Sequence, residues 1–131
     1  MKTPPKLSEL KKTVQRKVNA YVRLRDSGKP CISCGKPIVS GHAGHYIAQG
    51  SSGALRYNLD NVNLQCLADN LFKHGALIEY RIGLVKKIGE KRVKWLEAHR
   101  HDIKKWERSE LLEIVEQIKI LSHLGDTTHA K

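Results

Sequence analysis

The chain has 131 residues, with 24 Lys plus Arg against 13 Asp plus Glu, a net charge of +11 and a sequence pI near 9.8. That length fits one domain, which buries about two-thirds of its unfolded surface. The charge points to a polyanion partner, nucleic acid first and an anionic membrane second, and no apolar run is long enough to span a bilayer.

Residues 1–6 lack the apolar segment of a secretion signal, so a cytoplasmic protein is expected. In that compartment three cysteines serve metal or redox chemistry rather than a disulfide framework. Residues 7–27 read as an N-terminal helix. Leu7, Leu10, Val14, Val18, Tyr21 and Val22 recur at helical spacing, with Ser8 as N-cap and Gly28 past the end. Its other face carries Lys11, Lys12, Arg16, Lys17, Arg23 and Arg25. That face is either solvated or a flank that contacts phosphates.

Residues 29–75 lose the helical period and are rich in Gly and Ser. Three short apolar pieces, at 37–39, 45–48 and 55–57, read as strands of a loop-rich hairpin. Residues 67–74 read as one or two helical turns that Gly75 ends. Residues 77–124 read as a helical segment. Leu77, Ile78, Tyr80, Arg81, Leu84, Val85 and Ile88 form one amphipathic stretch ending at Gly89, and Val93, Trp95, Leu96 and Ala98 a shorter one. Ser109 is expected to cap a last helix whose stripe is Leu111, Leu112, Val115, Ile118, Leu121 and Leu124. That stripe is either core or a dimer seam. Residues 125–131 read as a frayed tail.

The chemistry-bearing residues lie between Cys31 and Gly75. Cys31-x-x-Cys34 and Cys66-x-x-Asp69 have the spacing of two zinc half-knuckles. Two other readings stand beside zinc: a redox Cys-x-x-Cys pair, weakened because no βαβ pattern surrounds it, and a buried Cys66 with Asp69 capping a helix. Between the half-knuckles stand His42 and His45. Histidine suits a general base because its pKa lies near working pH. Asn70 and His74 are four residues apart, so on a helix they share a face that can hold a divalent cation. Asn63 or Asn61 is placed to brace the hairpin and orient the base. Lys36, Arg56, Lys73 and Arg81 are the candidate phosphate contacts.

The series Cys-Ile-Ser-Cys-Gly, Ala-Gly-His-Tyr, Leu-Arg-Tyr-Asn, Asn-x-x-x-Gln-Cys, Asn-x-x-Lys-x-Gly and Glu-Tyr-Arg-Ile-x-Leu resembles the lambdoid-phage NinG, or Rap, family. More broadly it is similar to the HNH, or ββα-metal (His-Me finger), nucleases. The likeness runs from about residue 7 to 124. It implies an α+β fold with a small ββα-metal zinc-knuckle core between an N-terminal helix and a C-terminal helical segment. It implies a phage-encoded DNA endonuclease of recombination, acting on Holliday junctions and D-loops in the host cell. It also implies structural Zn²⁺ at the cysteine pairs, His45 as general base, and Asn70 as a ligand of a catalytic Mg²⁺ or Mn²⁺. The chain departs from the family pattern at three positions: Asp69 stands where a Cys is usual, His42 where an Asp is usual, and His74 at a Ser position.

Together these readings give one mechanism. His45 deprotonates water for attack on a phosphodiester, and a cation held by Asn70 with His42 or His74 supports the reaction. Paired cuts in branched double-stranded DNA call for a two-fold homodimer. The alternative is a zinc-dependent DNA-binding accessory protein of recombination that does not cut.

Overall fold

The computed structural model describes residues 3–38, 40–50 and 53–129, with side chains through 124. Helix α1 spans Leu7–Arg25 and buries Leu10, Val14, Val18 and Val22 in one stripe. It begins one residue before Ser8, and Lys6 occupies the N-cap with no side-chain cap bond, so the expected serine cap is not formed. Gly28 takes φ +85° just past the end, in the left-handed region where glycine is least strained.

Strands β1, His42–His45, and β2, Val62–Gln65, pair antiparallel with His42 opposite Gln65 and His45 opposite Val62. The hairpin is therefore placed differently from the three expected pieces. Residues 53–55 form a 3-10 turn, which seats Leu55 and Tyr57 in the core at 2% and 6% exposure. Pro37 and Ile38 are irregular, and Val39 lies outside the described residues. Every residue of β2 is buried. In a strand covered on both faces, the alternation of apolar and polar residues does not mark inside and outside.

A long excursion joins the two strands instead of a tight turn, and Asn61 holds it. Its Oδ1 accepts from the Ile47 amide at 2.8 Å, and its Nδ2 donates to the carbonyls of Ile47 at 3.0 Å and Leu55 at 3.2 Å. The Asn61 side chain thus supplies hydrogen bonds that a regular ladder would otherwise give.

After β2 a π-helical turn covers Ala68–Phe72. His74 (φ +50°), Gly75 (+85°) and Ala76 (+47°) then take left-handed backbone in succession and swing the chain into α2, Leu77–Ile88. Helix α3, Glu90–Ala98, packs beside it. Helix α4, Arg108–His129, closes the molecule against α1. Its first turn is capped by Glu110 Oε1, which accepts from the Glu107 amide at 3.0 Å, the reach-back half of a capping box. Ser109 is already inside the helix. The helix also runs through Gly125, where the sequence predicted a frayed tail.

Among the described residues, two apolar clusters form. Leu10, Val14, Val18 and Val22 of α1 meet Tyr57, Val62, Leu111 and Ile118, so part of the α4 stripe is core. Tyr46, Ile47 and Leu55 meet Tyr80 and Leu84 of α2 and Val93 and Leu96 of α3. Helix α1 contacts both strands of the sheet. No helix among the described residues is long and apolar enough to cross a membrane.

Candidate metal cluster and catalytic groove

The knuckle loop 31–34 comes within contact of α2 because Gly83 has no side chain. A Cβ built there would lie 3.0 Å from the Ile32 carbonyl carbon and closer to its oxygen. The loop is tied to β2 by the Ile32 amide, which donates to Leu64 O at 3.0 Å. This brings Cys31, Cys34, Cys66 and Asp69 together, with one ligand atom from each lying within 4.8 Å of all the others. Cys34 Sγ and Cys66 Sγ are 3.9 Å apart, and Cys31 Sγ is 3.8 Å from Asp69 Oδ2. A tetrahedral zinc with Zn–S of about 2.3 Å and Zn–O of about 2.1 Å requires S···S of about 3.8 Å and S···O of about 3.6 Å. The donor set matches zinc in chemistry, and these two pairs lie near the required separations.

The thiols and the carboxyl shift in different directions. Burial alone would raise the Cys31 thiol, but hydrogen bonds from the Cys34 and Cys66 amides and the Ser33 hydroxyl oxygen 3.3 Å away draw it down to about 7. Cys34 is pushed up to about 11 by burial and by its two thiol neighbours. Ser33 Oγ donates to Asp69 Oδ2 at 2.6 Å and Lys73 Nζ lies 3.5 Å from Asp69 Oδ1. Together they hold that carboxyl below its ordinary range.

On the other face of the hairpin, His45, Asn70 and His74 line one groove of about 420 Å³ with Tyr46, Gln49 and Leu77. The predicted helical face for Asn70 and His74 is not formed, because the helix ends at Phe72. The left-handed turn brings His74 to the groove instead. His45 is half-buried, and its Nε2 sits 3.0 Å from Arg56 O. A carbonyl only accepts, so Nε2 carries the proton and Nδ1 is the basic atom. Burial holds the His45 pKa below 6.5 and favours the neutral ring at pH 7. His42 is exposed, and its Nδ1 accepts from Asn70 Nδ2 at 3.2 Å.

Asn63 lies behind the sheet rather than in the groove. Its Oδ1 accepts from Lys87 Nζ at 2.6 Å and Arg25 at 3.2 Å, and its Nδ2 donates to Asp60 O and Tyr80 OH. It reaches β1 through Tyr80, whose hydroxyl donates to Gly44 O at 2.7 Å. The same buried network centres on Asp26, which is 1% exposed. It takes bonds from Arg25, from Lys87 and from the Leu64 amide. Burial opposes ionisation of this carboxyl, but the two cations hold it far below the usual range.

The four candidate phosphate contacts differ in their freedom. Lys36 and Lys73 are exposed. Arg56 lies over the Tyr57 ring at 5.0 Å. Arg81 is committed to Glu97 through bonds of 2.8 and 3.1 Å, and Tyr46 OH donates to the same carboxylate at 2.5 Å.

The sequence reading missed Ser33, Gln65, Asp26, Lys87 and Tyr80. Gln65 is wholly buried, and its Nε2 donates to Ser33 Oγ at 3.0 Å and Gly75 O at 2.6 Å. It joins the cysteine cluster to the groove. Its signal in the sequence was its place beside Cys66 in the Asn-x-x-x-Gln-Cys motif.

The family described as Bacteriophage Lambda NinG protein matches residues 2–125. Protein ninG of Escherichia phage lambda is 38% identical over 96 residues, covering 72% of this chain and 47% of that protein. Protein ninG of Salmonella phage P22 is 37% identical over 100 residues, covering 76% of this chain and 49% of that protein. The chain spans about half the length of the curated relatives it matches. No solved structure matches it. On the length of the family match and the identity to these phage proteins, the chain belongs to the NinG family.

Proposed function

We propose that this chain is a metal-dependent DNA endonuclease of phage recombination, of the HNH, ββα-metal kind, acting on branched DNA such as Holliday junctions and D-loops. The observation that carries the reading is His45. Its Nε2 is tied to a backbone carbonyl, and its ring is kept neutral by burial. The basic Nδ1 belongs to a side chain that lines a groove with Asn70 and His74. That is the preparation a general base requires.

In the reaction, Nδ1 takes a proton from water as the water oxygen attacks phosphorus in line. The P–O3′ bond breaks, and the 3′-oxygen leaves with the bonding pair. Asn70, with His42 or His74, would hold Mg²⁺ or Mn²⁺, which supplies charge stabilisation to the phosphate and leaving oxygen. Asn70 Nδ2 lies 3.2 Å from His42 Nδ1, so the amide oxygen would take that place on rotation of the Asn70 amide. Neighbouring ligands of an octahedral ion at about 2.1 Å lie about 3 Å apart.

Cys31, Cys34, Cys66 and Asp69 would hold Zn²⁺ as scaffold. Asn63 acts from behind the sheet by fixing Gly44 through Tyr80. Lys36, Lys73 and Arg56 are available to phosphates, while Arg81 serves mainly to hold Glu97. A homodimer would deliver two symmetric cuts. The test is incubation of zinc-loaded protein with a labelled four-way junction and a matched linear duplex, with and without Mg²⁺ or Mn²⁺. Cation-dependent cutting of the junction is expected. Tight binding with no cutting under either cation would replace this reading with a DNA-binding accessory role.

A further inference from the structure

Gln65 contains an unsatisfied atom in a place where proteins rarely leave one. The residue is 0% exposed, and its Oε1 is buried without a hydrogen-bond partner. That oxygen points at Gly44, occupying space that any Cβ there would need. Asn70 Oδ1 comes to the same spot, 3.2 Å from the built Cβ. Two amide oxygens therefore converge over Gly44, while the Asn70 Nδ2 donor faces His42 Nδ1.

Turning the Asn70 amide by 180° changes both ends. Nδ2 would then face the side of Gly44 where Gln65 Oε1 lies, as a donor for it. Oδ1 takes the place beside His42 Nδ1, giving two lone pairs side by side at the spacing of adjacent ligands on an octahedral cation. With His42 Nδ1 unprotonated and no cation those lone pairs repel, which favours the orientation in which Asn70 donates to His42. With a cation bound, the turned orientation satisfies every group. Gln65 is itself fixed by Ser33 and Gly75, so its oxygen is a rigid reference point rather than a flexible acceptor.

We propose that Gln65 is a positioning residue that turns the Asn70 amide oxygen toward a divalent cation shared with His42, and so couples cation binding to the zinc knuckle through Ser33. This rests on the reading of the groove as a cation site. It deepens that reading by naming His42 as the second ligand and Gln65 as the group that orients the first.

Mn²⁺ binding, measured by electron paramagnetic resonance on the zinc-loaded protein without DNA, is the test. Wild type is expected to bind one Mn²⁺ at Asn70 and His42, and Asn70→Ala to lose it. Gln65→Met keeps the volume but removes the acceptor, and should weaken Mn²⁺ about 10- to 100-fold, the usual effect of losing an outer-shell partner. Gln65→Glu keeps an acceptor oxygen and should retain tighter binding than Gln65→Met. Zinc content and melting temperature are read on each variant.

Wild-type affinity in a folded Gln65→Met protein would overturn the proposal. Absence of Mn²⁺ binding in wild type would instead overturn the cation site itself. Should the variants not fold, the ¹⁵N-labelled wild type decides. The Asn70 side-chain amide protons should shift as Mg²⁺ saturates, because they exchange an imidazole acceptor for an amide oxygen. Unmoved Asn70 amide resonances at saturation would overturn the proposal.

Discussion

Gly83→Ala sets two effects of known sign against each other. Gly83 lies inside α2, where alanine is favoured over glycine by about 1 kcal/mol. Opposing this, the new Cβ would press on the carbonyl of Ile32, 3.0 Å from its carbon and closer to its oxygen. The obstacle is backbone, and the Ile32 amide is bonded to Leu64 O, so no side-chain rotation relieves it. Overpacking of this kind costs about 1–3 kcal/mol, and an immobile obstacle puts the cost at the upper end. The net expectation is a loss of about 1–2 kcal/mol, or about 4–8 °C in melting temperature for a domain of this size. Bound zinc should fall with it, since Ile32 lies between Cys31 and Ser33 of the knuckle. Gly50→Ala is the control. Nothing lies within 4 Å of that site, so the change should be neutral or slightly stabilising. Thermal and urea unfolding with zinc quantification read both variants. If Gly83→Ala is stabilised by the full helix-propensity gain and keeps its zinc, the close seating of the knuckle on α2 is wrong.

Asp69→Ala should lower zinc stoichiometry and melting temperature, while Asp69→Cys should bind zinc more tightly. Unchanged zinc in the alanine variant, by elemental analysis, removes Asp69 from the ligand set. Asp26→Asn strips the charge that pairs Arg25 and Lys87, and should cost about 3 kcal/mol by urea unfolding, because those cations are left largely buried. The wild-type contribution is full above the ordinary carboxyl value of 3.8 and is lost as acid protonates Asp26 below it. The variant should therefore lose the corresponding part of the wild type's acid sensitivity, and an identical acid limb would contradict this. For cleavage, the His45 pKa is held below 6.5 by burial. The rate should be flat above that pH and fall on an acid limb centred below it. A midpoint at or above 6.5 in single-turnover rates would show that another group is the base.

The helical parts of the molecule were legible because one stripe carries each of them. The spacing of Leu10, Val14, Val18 and Val22 gave α1 almost to the residue, and Cys-x-x-Cys with Cys-x-x-Asp gave the cluster that the fold assembles. The strands were hidden for a physical reason. Val62, Asn63, Leu64 and Gln65 are all buried, so polar and apolar residues alternate without marking inside and outside. The polar core was hidden by distance along the chain, since Asp26 and Lys87 meet only once α2 is docked. The turn at His74 and Ala76 was misread because both adopt positive φ, which neither residue type favours. That turn, rather than a helix face, is what brings His74 to the groove with Asn70.

The central claim is that His45 acts as the base of a DNA-cutting site. It is tested most directly by single-turnover cleavage of a four-way junction in Mn²⁺, comparing wild type with His45→Ala. General-base catalysis predicts a rate about 10²- to 10⁴-fold lower in the variant, with junction binding, zinc content and melting unchanged. Equal rates in two folded proteins, or no cleavage by zinc-loaded wild type, would contradict the account.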